Sequence, residues 1–325
     1  MIVLATGTSG FLGRTVVTEL IAAGHDVRTL QRRPSRVDGA RDILGSVTDA
    51  AAVAEAVEGV EAVVHLAAKV SLAGDKREFR AVNVDGTRTL LDAAARAGVT
   101  RFVNVSSPSV AHAGSALSGA GADPADPVNA RGDYARTKAE AELLALARDS
   151  ATMRVVAIRP HLVWGPGDPQ LTERIVSRAR RGTLPLLNGG TALIDATYVD
   201  NAASGIVAAL HRADAVGGRA YVLTNGEPRP VGDLMAGICR AAGVPVPRFS
   251  VPAGVARAAG GAIETLWRVR PSMDEPPMTR FLAEQLSTAH WFDQTDIRRD
   301  LQWTPTVSLD DGLDRLARHY ADARA

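Results

Sequence analysis

The chain has 325 residues, with 37 lysines and arginines against 36 aspartates and glutamates and a formal net charge of +1. That balance carries no electrostatic footprint for nucleic acid or an anionic membrane surface. Hydrophobic residues make up 46% and charged residues 22% of the chain, which excludes wholesale disorder, and Cys239, the only cysteine, excludes an intrachain disulfide and a multi-cysteine metal site.

No apolar run reaches the roughly 18–20 residues of a membrane helix. Met1–Thr6 runs straight into a glycine-rich turn with no basic leader, so a cytoplasmic protein is expected. The length suits one large domain or two ordinary ones.

Strand-like and helix-like segments alternate through the first half. Ile2–Thr6 reads as a buried strand, and Phe11–Ala23 as a helix capped by Gly24. A strand at Val27–Leu30, a helix at Ala50–Val57 and a strand at Ala62–His65 follow. Val82–Ala97 reads as one helix closed by Gly98, then come a strand at Arg101–Val105, a long helix at Asp133–Arg148 and a strand at Arg154–Ile158. Alternation of this kind predicts an α/β fold, a doubly wound parallel sheet with helices on both faces.

Beyond Arg159-Pro160 the pattern changes. Thr197–Val199 predicts one more strand and Asn201–Arg212 a helix, with proline-rich loops between helices in the last third (Pro245, Pro247, Pro252, Pro271, Pro276, Pro277). These features suggest a cofactor domain of 1–161 plus about 195–222 and a smaller mixed substrate domain of about 162–194 plus 223–325. Ala111–Arg131, rich in Ala, Gly, Ser, Asp and Pro, is expected to form a loop over the mouth of a site. Val251–Val269 is apolar and helix-like, interrupted by Arg257, Glu264 and Arg268; it suits a pocket wall or ordinary core equally well.

Thr6-Gly7-Thr8-Ser9-Gly10-Phe11-Leu12-Gly13 joins the first strand to the first helix. Gly7 permits a tight turn, Gly10 lets backbone approach a pyrophosphate, and Gly13 lets helix pack on strand. The helix N-terminus supplies amide donors and a favourable dipole. Dinucleotide binding follows from this strand–turn–helix context. At the end of the second strand, where an acid grips the ribose of NAD, the chain reads Gln31-Arg32-Arg33. A neutral side chain and two arginines favour NADP, with NAD as the other possibility.

Tyr134 and Lys138 are four apart at the start of the long helix, hence on one face. Lys69, Lys76 and Lys138 are the only lysines, so a lysine at this spacing carries weight. An ammonium beside a phenol is expected to lower its pKa and let it exchange a proton with a carbonyl or alcohol oxygen. Ser106-Ser107 ends the fourth strand, at the sheet edge where α/β proteins bind ligands. His65, His161 and His290 show no metal-ligand spacing, so no metal is expected. Cys239 falls in the helical pattern Leu234–Ala242 and is expected to be buried.

These residues resemble the extended short-chain dehydrogenase/reductase family. The likeness rests on the glycine turn, Val64-His-Leu-Ala-Ala68, Asn83-Val-Asp-Gly-Thr87, Ser106-Ser107, Tyr134-xxx-Lys138, Arg159-Pro160, Gly165-Pro-Gly-Asp168 and Tyr198-Val-Asp200, and it spans nearly the whole chain. It implies that Tyr134 is the catalytic acid/base, that Lys138 holds the nicotinamide ribose, and that Ser107 orients the substrate oxygen. It also implies that Ser46, Val47, Leu66, Ala67, Ala68, Asn83, Ser106, Pro160, Leu162 and Val163 lie along the cofactor.

Two departures narrow the class. Ser107-Pro-Ser-Val110 lacks the carboxylate that sugar dehydratases carry beside the active serine. Ile194 stands where nucleotide-sugar enzymes place a diphosphate-gripping arginine. The segments Arg159–Asp168 and Leu286–Asp293 resemble the 3β-hydroxysteroid dehydrogenase-like branch, nearest to bacterial 2-alkyl-3-oxoalkanoate reductases. The resemblance therefore implies a small apolar carbonyl or hydroxy substrate, with an epimerase, a steroid dehydrogenase and a non-catalytic NADP sensor as alternatives. It also implies a homodimer through Val82–Ala97 and Asp133–Arg148, although Leu90, Leu91, Ala94, Ala141 and Leu144 on those helices would serve the sheet equally well.

Overall fold

The structure, a computed structural model, describes residues 1–71, 74–112, 114–269 and 279–324, without the side chains of 266–269 and 281. Pro271, Pro276, Pro277 and the side chain of Arg268 lie outside the described residues.

Seven strands form one sheet: β1 (Ile2–Thr6), β2 (Asp26–Gln31), β3 (Ala40–Leu44), β4 (Ala62–His65), β5 (Arg101–Val105), β6 (Arg154–Pro160) and β7 (Ala220–Leu223). Their spatial order is β7-β6-β5-β4-β1-β2-β3, and every pairing is parallel. The order reverses between β1 and β4, which opens a crevice at their carboxyl ends.

Period-two alternation assigns the strand residues to two cores. Val3, Ala5, Val103, Val105, Val156 and Ile158 pack against the helices Phe11–Ala22 and Val199–Val216. Leu4, Val63, Phe102 and Val155 pack against Ala50–Val57, Gly86–Arg96 and Ala145 of the helix Gly132–Leu146. Apart from Val82–Ala97, the expected strands and helices of the first half are present within one or two residues. Gly24 takes a left-handed conformation (φ +81°), and the next amide, His25, closes onto Leu20 O, so the first helix stops where expected.

Two expectations are corrected and two strands went unanticipated. β3 was not anticipated because it is an edge strand with Arg41, Asp42 and Leu44 exposed, so no apolar pattern marks it. The expected strand at Thr197–Val199 is present as Thr197–Tyr198, paired with Val163–Trp164 outside the main sheet, and the seventh strand of that sheet, Ala220–Leu223 on the opposite edge, was not anticipated. The Val82–Ala97 segment is not one α-helix: a helical run starts at Lys76, passes through a π turn at Ala81–Asp85, and is α over Gly86–Arg96. Ala111–Arg131 is only partly loop, since Leu117–Ala120 forms a strand. Composition does not reveal that strand because its partner, His290–Phe292, is supplied from far along the chain.

That strand belongs to a four-stranded mixed sheet with Leu193–Ile194 and Arg229–Pro230. Helices Thr172–Arg180, Val231–Ala241 and Leu309–Asp322 enclose a further core, in which Cys239 is fully buried.

Candidate active site

The glycine turn shows why Gly7 and Gly13 are needed. Gly7 lies at φ +72°, and a Cβ there would stand 2.7 Å from Ala67 Cα and N. A Cβ on Gly13 would meet Gly7 O at 2.6 Å. At Gly10 the nearest such atom is 3.4 Å away, so this stretch of backbone is open to a phosphate at the start of the helix Phe11–Ala22. Ala67 N–H donates to Thr6 Oγ1 (3.1 Å), which ties the end of β4 to the turn.

Beside the turn lies a cleft of about 450 Å³ lined by Ser9, Arg14, Arg33, Pro34, Ser35 and Arg36. Among the described residues, three guanidinium groups and no carboxylate line it. Arg32 is exposed and does not line it. Gln31 turns inward: Thr8 Oγ1 donates to it, and its amide donates to Thr29 Oγ1 (2.9 Å) and Asp42 (3.1 Å). Its carboxamide therefore braces the glycine turn onto β2. Arg14 and Arg36 were missed by sequence reasoning; the only signal was Arg14 following Gly13 in the first helical turn. Farther along, Val47 is buried and Ser46 Oγ meets Thr48 Oγ1 (2.8 Å).

Under the turn runs a chain of hydrogen bonds. Thr87 donates to Asn83 O (2.7 Å), so it accepts from His65 Nε2 (2.9 Å), and Thr6 donates to His65 Nδ1 (2.7 Å). His65 is therefore neutral and protonated on Nε2, and burial, with a smaller push from the Lys138 charge, holds its pKa down to about 3. Asn83 sits in the π turn, a feature common at functional sites. Its side chain accepts from Lys69 N (2.7 Å) and donates to Lys69 O (3.2 Å) and Thr137 Oγ1 (3.0 Å). It latches the segment after Leu66, Ala67 and Ala68 onto the long helix.

Tyr134, Lys138 and Ser107 converge at the carboxyl end of β5. Lys138 is 3% exposed and donates to Val105 O at 2.6 Å. Its pKa is pushed down to about 8 by burial, with Glu142 pulling the other way. Burial raises the pKa of the Tyr134 phenol above its ordinary value, with the nearby Ser107 hydroxyl pulling the other way. The expected lowering by Lys138 is thus not what this environment produces, because desolvating a phenolate costs more than the neighbours return. Ser107 also caps the turn Pro108–Ala111, meeting Ser109 Oγ at 2.9 Å. Ser106 Oγ is buried with no partner, an orphan that suits a bound cofactor. On the far side lie Pro160, Val163 and Leu162, a non-glycine residue at φ +43°.

Sequence reasoning also missed two groupings that only the fold assembles. Arg159, 1% exposed in its side chain, grips Glu142, equally buried, from β6 (Nε–Oε2 2.9 Å, Nη2–Oε1 2.5 Å). His112, His161 and His290 gather beyond Ser107 and Pro160, with His112 and His290 meeting Nε2 to Nε2 at 2.5 Å.

A family model described as NAD dependent epimerase/dehydratase family matches residues 3–224. The chain is 40% identical over 324 residues to a 2-alkyl-3-oxoalkanoate reductase of Stenotrophomonas maltophilia, covering 97% of this chain and 98% of the relative. It is 32% identical over 338 residues to a 3 beta-hydroxysteroid dehydrogenase/Delta 5-->4-isomerase of Mycobacterium tuberculosis, covering 98% and 90%. Among solved structures it resembles a short-chain dehydrogenase/reductase superfamily protein of Agrobacterium tumefaciens with bound NAD, at a TM-score of 0.79 and 24% identity, covering 100% and 98%.

Proposed function

We propose, from the premise that this chain belongs to the NAD dependent epimerase/dehydratase family, that it reduces the ketone of a 2-alkyl-3-oxoalkanoate-like β-keto acid or ester to a secondary alcohol. The observation that carries the reaction type is buried Lys138, held to Val105 O one helical turn from Tyr134, at the end of the strand that leads into Ser107. The substrate class is supported by the relative of that name at 40% identity.

A nicotinamide cofactor, when bound, would supply the hydride for the carbonyl carbon. Ser107 and Tyr134 hold the carbonyl oxygen, and Tyr134 gives it a proton. A raised phenol pKa keeps that proton in place until it is needed. Lys138, still carrying its charge near neutral pH, stabilises the phenolate left behind.

NADP is the preferred cofactor of this reading. Ser9, Arg14, Arg33 and Arg36 offer a cationic cleft for a 2′-phosphate, and no carboxylate lines it to grip a ribose hydroxyl. The expected cofactor domain, 1–161 plus about 195–222, would present this cleft to a substrate domain made of the rest. A homodimer through the paired helices fits Leu143, which is 42% exposed, whereas Leu90, Leu91, Ala94 and Ala141 are spent inside the chain.

The test is NADPH consumption with a long-chain 2-alkyl-3-oxoalkanoic acid, with NADP reduction by the corresponding 3-hydroxy acid as the reverse assay. Saturable turnover is expected. No turnover with these acids, but turnover with a 3β-hydroxysteroid and NAD, would move the assignment to the steroid reading that the 32% relative favours.

A further inference from the structure

The Tyr134–Lys138 helix carries a third polar residue on the same face, one turn beyond the lysine. That residue is Glu142, and it is fully buried. Burying a carboxylate is costly unless it is paired and hydrogen-bonded. Here the pairing is complete. Arg159 reaches it from β6 with Nε and Nη2, one to each oxygen. The remaining arm, Nη1, donates to Asp123 O at 2.8 Å, in the segment that follows Leu117–Ala120. One guanidinium thus joins the sheet, the helix of Tyr134 and Lys138, and the chain over the site.

Apolar residues would hold a helix to a sheet at least as well as a buried ion pair does. The charges need another reason, and Lys138 provides it. Its ammonium is buried and, among the described residues, donates to Val105 O. The titratable groups around it are few. His65 on β4 is neutral, Tyr134 and Glu142 lie one turn to either side on its own helix, and Arg159 lies across from Glu142 on β6. β5 contributes Val105 O, Ser106 and Ser107, none of which is charged near neutral pH. Glu142 is the carboxylate in that set.

We propose that the Glu142–Arg159 pair is a positioning device for Lys138: Glu142 supplies the negative charge that keeps the buried ammonium protonated, and Arg159 holds that carboxylate one turn from the lysine. This rests on the reading of Lys138 as the partner of Tyr134.

The test is the pH profile of kcat/KM, with NADP and a 2-alkyl-3-hydroxyalkanoate, in the variants Glu142→Gln and Arg159→Gln. Glu142→Gln leaves an uncompensated positive charge near the pair, so its profile moves to lower pH by about one unit. Arg159→Gln leaves an uncompensated negative charge, so its profile moves to higher pH, by a smaller amount because Glu142 and not Arg159 is the charge one turn from Lys138. A purely structural pair would lower activity or melting temperature in both variants without moving the profiles in opposite directions, and that result overturns the proposal.

If the single variants do not fold, the double variant Glu142→Met/Arg159→Leu removes both charges while keeping volume. Because the carboxylate is the charge one turn from Lys138, the proposal then requires the profile to move to lower pH by a fraction of a unit, and an unmoved profile overturns it. Tyrosinate absorbance, read as the difference between each protein and its Tyr134→Phe counterpart, follows the same electrostatics without turnover. If Tyr134→Phe alone leaves full activity, the reading of the active site has failed, and the tyrosinate titration still decides the role of the pair.

Discussion

His112 and His290, 178 residues apart, meet through their Nε2 atoms at 2.5 Å. Gly114 N–H donates to His112 Nδ1 (2.7 Å), so the proton between the two rings belongs to His112 Nε2. His290 must then carry its own proton on Nδ1, where it is buried without a partner. The bridge pins the segment after Ser107 to the strand His290–Phe292, and it requires that His290 stay neutral with Nε2 unprotonated.

A pH prediction follows from this chemistry. Burial is the largest influence on His65, His161 and His290, holding them down to about 3, 4 and 3, and it also lowers His112. A histidine whose folded pKa is lowered costs nothing above its ordinary value near 6.5. As pH falls below that value the unfolded chain takes up protons that the folded chain refuses, at about 1.4 kcal/mol per pH unit for each neutral ring. Asp195, raised to about 6 mainly by burial, works in the opposite direction over the window from its ordinary 3.8 to 6, and one carboxylate does not offset four imidazoles. Melting temperature is expected to fall steeply from pH 6.5 toward pH 4. A His112→Phe/His290→Phe variant should show a shallower fall, and an equal slope would remove these rings from the explanation.

Tyr134→Phe is expected to lower kcat by at least about 10²-fold, the contribution of a positioned acid. Dissociation of NADP should change little, because the phenyl ring keeps the packing. Fluorescence titration of cofactor alongside steady-state rates would check both halves. A near-normal rate would end the proton-donor assignment.

Gly7→Ala combines a left-handed backbone with a methyl placed 2.7 Å from the Ala67 backbone. Each fault costs on the order of 1–3 kcal/mol. The variant should melt well below the wild type and lose cofactor binding, because β1 and β4 must separate to admit the methyl. Calorimetry with and without NADP reads both effects, and an unchanged melting temperature would contradict the geometry.

Arg33→Ala should weaken NADP by about tenfold and leave NAD affinity within a factor of about two, since one charge-assisted contact is worth about 1.5–3 kcal/mol. Arg14→Ala should act in the same direction. Arg32→Ala, at a residue outside the cleft, serves as the control. Equal losses for both dinucleotides would show that the cleft does not read the 2′-phosphate.

The sequence by itself determined the parallel sheet, because β1, β4, β5 and β6 are buried on both faces and so read as apolar runs. It also determined the glycine turn and the Tyr134–Lys138 pair, since turn chemistry and helical spacing are local properties. Tertiary structure alone decided what depends on distant partners. β3 and Leu117–Ala120 are strands because a neighbour offers an edge, and the π turn at Ala81–Asp85 accompanies the seating of Asn83 between Lys69 and Thr137. The sign of the Tyr134 shift was likewise set by burial, which no spacing reveals. So were the pairing of Glu142 with Arg159, 17 residues on, and the meeting of His112 with His290. Charge, hydration and hydrogen bonding at a site are summed over everything packed around it, and that sum exists only once the chain has folded.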